Sequence, residues 1–420
     1  MVEKTAVYRA VDDREAEIVE FMREFLGIET ENPPGRNYRE GATFLADALT
    51  DRGYQVDLIE VPDEVVAEHY PDRTDHDRVN VLARKSGDGG GPHVHFTGHF
   101  DVVPAGEDWS YEPYDPVVEN GRIYGRGASD MKSGIAASLF ALEAMEAAGV
   151  SITGSITQSM TVDEETGGFT GLGHLVDEGH ITPENTDYCV YTECFGSDRV
   201  CLGHRGVLKF TVTAHGEKAH GCMAHDGRNA VMAMSEFLSR VDEYEERLHR
   251  RRTELPVTPD ESRRADISTT MIDAGYSENV VPDRCEASFY RVLVPAESVE
   301  DVRDEVDSVI AAAEEATGHR FEYDEIMYAE PASVPEDCTV SRTYAENIGT
   351  FHPDPSFVVS PGSDDQRFVV NDAGLEECIV YGPGRLEQAH VADEYVPIDE
   401  ITTAAKVMAA ATMDLMEAAG

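Results

Sequence analysis

The chain has 420 residues with 41% hydrophobic and 8% aromatic content, which suits a globular protein with more than one core. Its 82 acidic residues against 34 basic ones give a formal charge of −48, spread along the whole length, which argues against nucleic acid and anionic membranes as partners. No run reaches the ~18 unbroken apolar residues of a membrane span, and the seven scattered cysteines, never in a Cys-x-x-Cys pair, speak against a disulfide framework.

Apolar periodicity predicts a helix over 13–26, a loop at Asn32-Pro33-Pro34-Gly35, a second helix over 38–52 and a strand over 55–61. A strand over 78–84, a tight polar turn at 87–91 and a strand over 93–97 follow. Residues 133–148 are rich in Ala, Leu and Met and read as a buried helix; 155–162 read as a strand, 170–178 as a helix and 188–192 as a strand. Strands alternating with helices imply an α/β sheet covered on both faces.

The texture changes near Arg205. Residues 207–214 alternate as VLKFTVTA, the pattern of a strand with one wet face. A long helix (229–251), two strands (266–272 and 284–294), a helix (299–316) and a strand (320–327) complete a β-α-β-β-α-β order, the ferredoxin-like arrangement. This is expected to be a second domain, 207–328, inserted into a first made of 1–206 and 329–420. The α/β texture resumes in that last part and ends in a helix over 399–419.

Five stretches put polar residues where a strand meets a loop. FTGHFDVVP carries His99 and Asp101, YGRGASDMKSG carries Asp130, TVDEETGG carries Glu164 and Glu165, VYTECFG carries Glu193, and YGPGRLEQAHVADEY carries His390. Each alone has an ordinary reading: a satisfied histidine, turn chemistry for Asp130, solvated surface for Glu164 and Glu165. Glu193 follows an apolar run, so its carboxylate needs a partner or a metal. Together they matter, because loops leaving the carboxyl ends of strands in an open α/β sheet gather at one edge. Imidazoles with carboxylates and no paired cysteines suit Zn2+ or a similar divalent ion. His99 and Asp101 stand at i and i+2, on one face of an extended chain. Asp101 can then accept the second ring N–H of His99 and fix its tautomer.

These motifs, in this order and over nearly the whole chain, resemble the co-catalytic zinc hydrolases that include acetylornithine deacetylase, succinyl-diaminopimelate desuccinylase, aminoacylase and the glutamate-releasing carboxypeptidase. The resemblance implies two divalent ions, Zn2+ with Co2+ or Mn2+ as alternatives, bridged by Asp130. One is held by His99 and Glu193, the other by Glu165 and His390. Glu164 takes the place of the family's general base. The inserted domain resembles the family's dimerisation or lid domain, so a homodimer is expected. His220, in AHGEKAHGCMAHDGRNA, matches a histidine that reaches across the dimer to the partner's oxyanion. Asn279 and Arg291 match positions that contact the substrate's carboxylate end. GSDDQRF resembles the family's Gly-Gly-Thr-Asp loop, with Asp365 in the Asp position and Gly362 and Ser363 before it. Cys194-Phe195 stands where relatives often have Pro-Thr, on the substrate side.

The expected fold class is α/β, a mixed, helix-flanked sheet with an inserted ferredoxin-like α+β domain, and the expected protein is a metal-dependent hydrolase. It cleaves an amide in an N-acyl amino acid, with a dipeptidase or carboxypeptidase as the alternative. A catalytically dead binding subunit is disfavoured by the intact Asp130, Glu164, Glu165 and histidines. Two-metal phosphoester hydrolysis would want basic side chains near the ions, and Lys132 is the one obvious candidate. The N-terminus has no apolar core followed by a cleavage site, so a cytoplasmic location is expected. The charge suits a salty cytosol, since at molar salt the Debye length is ~3 Å and like charges repel little.

Overall fold

The computed structural model describes residues 3–87 and 89–418, and the chain divides into two compact units. The first runs to Gly203 and takes up the chain again at Val334–Val358 and from Asp365; the second comprises His204–Ser333 and Val359–Asp364. The boundary departs from expectation at residues 359–364, which include Gly362 and Ser363 and belong to the inserted unit. Hydrogen bonds give the reason: Val359 N donates to Pro256 O (3.0 Å), Thr258 N to Val359 O (3.3 Å), and Arg205 Nη2 to Pro361 O (2.6 Å).

In the first unit a mixed sheet runs in the order Gln55–Glu60, Val79–Ser86, Ser155–Thr161, His93–His99, Tyr188–Tyr191, Cys378–Val380, Arg199–His204. Its middle is parallel: His93–His99 lies between Ser155–Thr161 and Tyr188–Tyr191, and Cys378–Val380 runs beside Tyr188–Tyr191. The outer pairings are antiparallel. The middle strands are buried on both faces, so their sequences do not alternate cleanly.

The helix Lys132–Ala147 is buried almost all round, as its lack of a polar face requires. A Cβ on Gly134 would stand 1.7 Å from the Thr192 carbonyl oxygen, so only glycine lets the helix approach this strand end. That approach brings the turn carrying Asp130 next to Glu193. Elsewhere the expected helices shift. A separate helix, Lys4–Asp12, precedes Glu15–Leu26. The helix expected over 170–178 shrinks to His174–Asp177, preceded by a π-type turn at Phe169–Gly173. Gly171 is non-helical there, packed where a Cβ would meet the Val162 carbonyl at 1.9 Å. The last helix is Ile398–Ala418; Ala419, and Asp88 of the polar turn, lie outside the described residues.

The second unit is a four-stranded antiparallel sheet in the order Asp266–Ala274, Arg284–Leu293, Gly206–His215, Arg320–Ala329. In chain order this is second, third, first, fourth, the ferredoxin-like order. Helices Ala230–Leu248 and Val299–Thr317 share one core with it, built on Phe210, Phe237, Phe289 and Phe321. Asn229 and Ser298 cap the helix starts through Val231 N (3.0 Å) and Asp301 N (3.1 Å). Gly318 ends the second helix at φ 67°.

Candidate metal centre

Parallel neighbours end at one edge of the first unit's sheet, and each delivers polar side chains there. His99 is the last residue of its strand; Glu164 and Glu165 open the short turn after Ser155–Thr161; Glu193 lies just past Tyr188–Tyr191. His390 comes from the loop beyond Cys378–Val380, and Asp130 from the turn before Lys132–Ala147.

Asp130 offers one oxygen to each imidazole. Its Oδ1 stands 3.2 Å from His99 Nε2 and its Oδ2 stands 3.2 Å from His390 Nε2. Glu193 Oε2 is 3.3 Å from His99 Nε2, and Glu165 Oε2 is 3.1 Å from His390 Nε2. Two groups of three donors therefore share a single carboxylate: His99, Asp130, Glu193 and Asp130, Glu165, His390. Donors around a tetrahedral ion with bonds of about 2.0–2.1 Å stand about 3.3–3.4 Å apart, close to these spacings. Glu164 borders the first group, with Oε2 3.9 Å from His99 Nε2, and belongs to neither.

The donor chemistry asks for positive charge. His99 Nδ1 donates to the Asp101 carbonyl at 3.0 Å, so in the neutral ring Nε2 presents a lone pair to carboxylate oxygens. That Nε2 is buried without a hydrogen bond. Without an ion a proton must serve. Against the cost of burial, Asp101, Asp130 and Glu193 hold His99 well above the usual histidine range. Hydrogen bonds to Asp130 and Glu165 push His390 up to about 11. Burial and the Asp130 charge raise Glu193 to about 7, while for Asp130 the two imidazoles overcome burial and hold it well below the carboxylate range. Burial pushes Glu164 well up; His99 opposes, and Asp365, Glu165 and Glu193 add to the rise. The chemistry of each donor group would suit a divalent ion, with Asp130 common to both groups.

Asp101 differs from the expected role. The His99 ring N–H goes to its backbone carbonyl, with carboxylate Oδ1 farther off at 3.4 Å. The carboxylate instead accepts from Glu164 N and Glu165 N, both at 3.3 Å, and from Asn32 Nδ2 at 2.9 Å. It aims the two-glutamate turn as much as it orients the ring. The turn is held from its other side by Asp163, which sits at φ 63° and is fully buried. Asp163 accepts from Arg78 Nε (2.7 Å) and Tyr38 OH (2.9 Å). Glu394 Oε1 accepts from Ser129 N (2.8 Å) and Asp130 N (3.0 Å), fixing the Asp130 turn.

Glu394, Arg126, Asp163 and Arg78 are support that sequence reasoning missed. In a chain this acidic another Asp or Glu carries no signal; the usable one was Arg126, set among the small residues of YGRGAS. Cys194 is buried, and its N–H donates to Glu193 Oε1 at 2.9 Å, leaving Oε2 for the donor group. Lys132 is buried with Nζ on the carbonyls of Phe25 (3.1 Å) and Ile28 (2.9 Å), so it is a structural group and offers no phosphoryl clamp.

The remaining candidates lie in the second unit. His220 is exposed and pairs across a two-residue ladder with Val280, next to the exposed Asn279, whose carbonyl accepts from Gly221 N at 2.7 Å. Gly362 and Ser363 are half-buried. Arg291 contradicts its expected substrate contact. It is fully buried, with Nη2 on Glu297 Oε1 (2.6 Å), Nε on Tyr244 OH (3.2 Å) and Nη1 on the Val292 carbonyl. Its strand register turns the side chain inward, where the fork is spent on internal partners.

The family model described as Peptidase family M20/M25/M40 matches residues 95–414. A succinyl-diaminopimelate desuccinylase of Alkalilimnicola ehrlichii is 30% identical over 348 residues, 80% of this chain and 87% of that one. The enzyme of the same name from Methylocella silvestris is 28% identical over 413 residues, covering 93% and 96%. Among solved structures, the di-peptidase Dug1p of Saccharomyces cerevisiae aligns over 99% of both chains with a TM-score of 0.80 at 17% identity. Human carnosine dipeptidase 1 covers 99% of this chain and 100% of its own with a TM-score of 0.76 at 18% identity. The latter two likenesses speak for the fold. The chain is a metal-using hydrolase of amide bonds and belongs to peptidase family M20/M25/M40.

Proposed function

We propose that this chain is a deacylase that hydrolyses the amide of an N-acyl amino acid, using two Zn2+ ions on His99, Asp130, Glu165, Glu193 and His390. The observation that carries the reading is the bridging posture of Asp130, one oxygen toward each imidazole at 3.2 Å. When bound, the ions lower the pKa of a water and polarise the scissile carbonyl. Glu164 stands at the edge of the donor groups, takes the proton of the attacking water and returns it to the nitrogen of the leaving amine as the C–N bond breaks. Such a base typically contributes ~10²–10⁴-fold. Asp101, Asp163 and Glu394 keep the two turns in register, so base and donors do not drift apart.

A succinyl group is the acyl group we favour, because the sequence relatives are succinyl-diaminopimelate desuccinylases. In the inserted unit, Asn279 is read as a contact of the substrate's carboxylate end, and Gly362 and Ser363 as further substrate contacts. In our reading that unit also forms a homodimer in which His220 serves the partner's oxyanion. Reduced thiols in a salty cytoplasm agree with seven free cysteines and the net charge of −48. A dipeptidase is the second reading, favoured by the full-length fold likeness to two dipeptidases. Assay of N-succinyl, N-acetyl and dipeptide substrates at molar KCl decides between them. Preferred cleavage of an N-acyl amino acid supports the first reading, and preferred cleavage of a dipeptide replaces it with the second.

A further inference from the structure

A third group in the second unit repeats the composition of each half of the metal centre. Glu245 and His249 lie one turn apart at the end of the helix Ala230–Leu248, of which His249 is the C-cap, and Asp266 opens the strand Asp266–Ala274. His249 Nε2 stands 3.0 Å from Asp266 Oδ1 and 3.6 Å from Glu245 Oε1. One donor atom from each residue lies within 4.8 Å of the other two. These distances bracket the tetrahedral edge of about 3.3 Å that the Asp130 groups also match. Glu245 faces His249 as its i,i+4 neighbour on the helix, and Asp266 approaches the same ring nitrogen from the strand, so both carboxylates converge on one imidazole.

Two further features suit an ion. Asp266 Oδ2, the oxygen not facing His249, lies 3.7 Å from Arg264 Nη2, which gives the carboxylate an outer partner that fixes its orientation. The side chains of His249, Glu245 and Asp266 are 30%, 40% and 33% exposed, so water has access to the remaining coordination positions.

We propose that Glu245, His249 and Asp266 form a third divalent-metal site, of a kind suited to Zn2+, with a structural role. It sits where residues 250–265 leave the helix and rejoin the sheet. The base of that loop is closed by Ala265 N on Arg251 O (3.0 Å) and Thr253 N on Arg263 O (2.9 Å). Its far part carries Val359 through Pro256 and Thr258. An ion joining His249 to Asp266 would staple the loop at its root and so steady the 359–364 segment that the loop holds.

The test is a count of ions in the full-length protein. Chelator-stripped wild type, His249→Ala and Glu245→Gln are brought to equilibrium by dialysis against the same free Zn2+ in molar KCl. The site predicts one more Zn2+ per chain in the wild type than in either variant. It also predicts that Zn2+ slows amide hydrogen exchange in residues 250–265 of the wild type alone. Equal ion counts in all three proteins would overturn the site and leave an ion pair.

Discussion

Arg126 Nη1 lies 2.6 Å from Glu394 Oε2 in a pair almost sealed from solvent, and the other oxygen of Glu394 holds the backbone N–H groups of Ser129 and Asp130. One buried ion pair therefore fixes the turn that delivers the Asp130 carboxylate. Removing one partner of such a pair strands the other charge and costs about 3–5 kcal/mol. Arg126→Met is expected to lose about that much stability in denaturant titrations and to weaken metal binding as well. A variant with wild-type stability and metal affinity would contradict the assignment.

Asp163 does the equivalent work for the two-glutamate turn, through Arg78 and Tyr38. In Asp163→Asn the Arg78 guanidinium is left buried without its carboxylate. The variant should be destabilised by about 3–5 kcal/mol, and kcat should fall at saturating metal because Glu164 is displaced. Undiminished kcat in folded protein would show that Glu164 is positioned by other means.

His95 gives a pH dependence separate from the metal centre. It is fully buried, with Nε2 on Ser159 Oγ at 2.8 Å. Burial first, then the charges of His93, Arg84 and His180, hold it well below the usual histidine range. The folded state thus keeps His95 neutral while the unfolded chain takes up a proton below about pH 6.5. Stability is lost as pH falls through that value, by up to ~1.4 kcal/mol per pH unit for this one group. Measured in chelator, the stability of wild type relative to His95→Gln should decline between about pH 6.5 and pH 5. A constant difference would refute the effect.

The charge of −48 predicts salt dependence. The Debye length falls from about 10 Å at 0.1 M to 3 Å at 1 M, so repulsion between exposed carboxylates fades. Thermal unfolding should move to higher temperature from 0.1 to 2 M KCl. A fall in Tm over that range would argue against adaptation to high salt.

His99 and Glu193 stand out in the sequence because they end or follow apolar strands, where a polar side chain needs a reason. Asp130, Glu165 and His390 lie in turns and loops, and only the order of the motifs singled them out. The inserted unit was legible from its alternation and its β-α-β-β-α-β order. The supporting carboxylates were not: Glu394 and Asp163 look like any others among 82 acidic residues, and only distances reveal their partners. Arg291 was misread because an arginine on an alternating strand gives no sign of which face it takes. The 359–364 segment was misplaced because its ties to Pro256 and Thr258 span about a hundred residues of chain.

In the proposed mechanism Glu164 handles the proton beside a pair of ions it does not bind. Metal content and amide hydrolysis measured together in Glu164→Gln separate the two roles. The expected result is wild-type ion content with a rate lowered ~10²–10⁴-fold. Full activity in that variant, or loss of an ion from it, would overturn the assignment of Glu164 as the base.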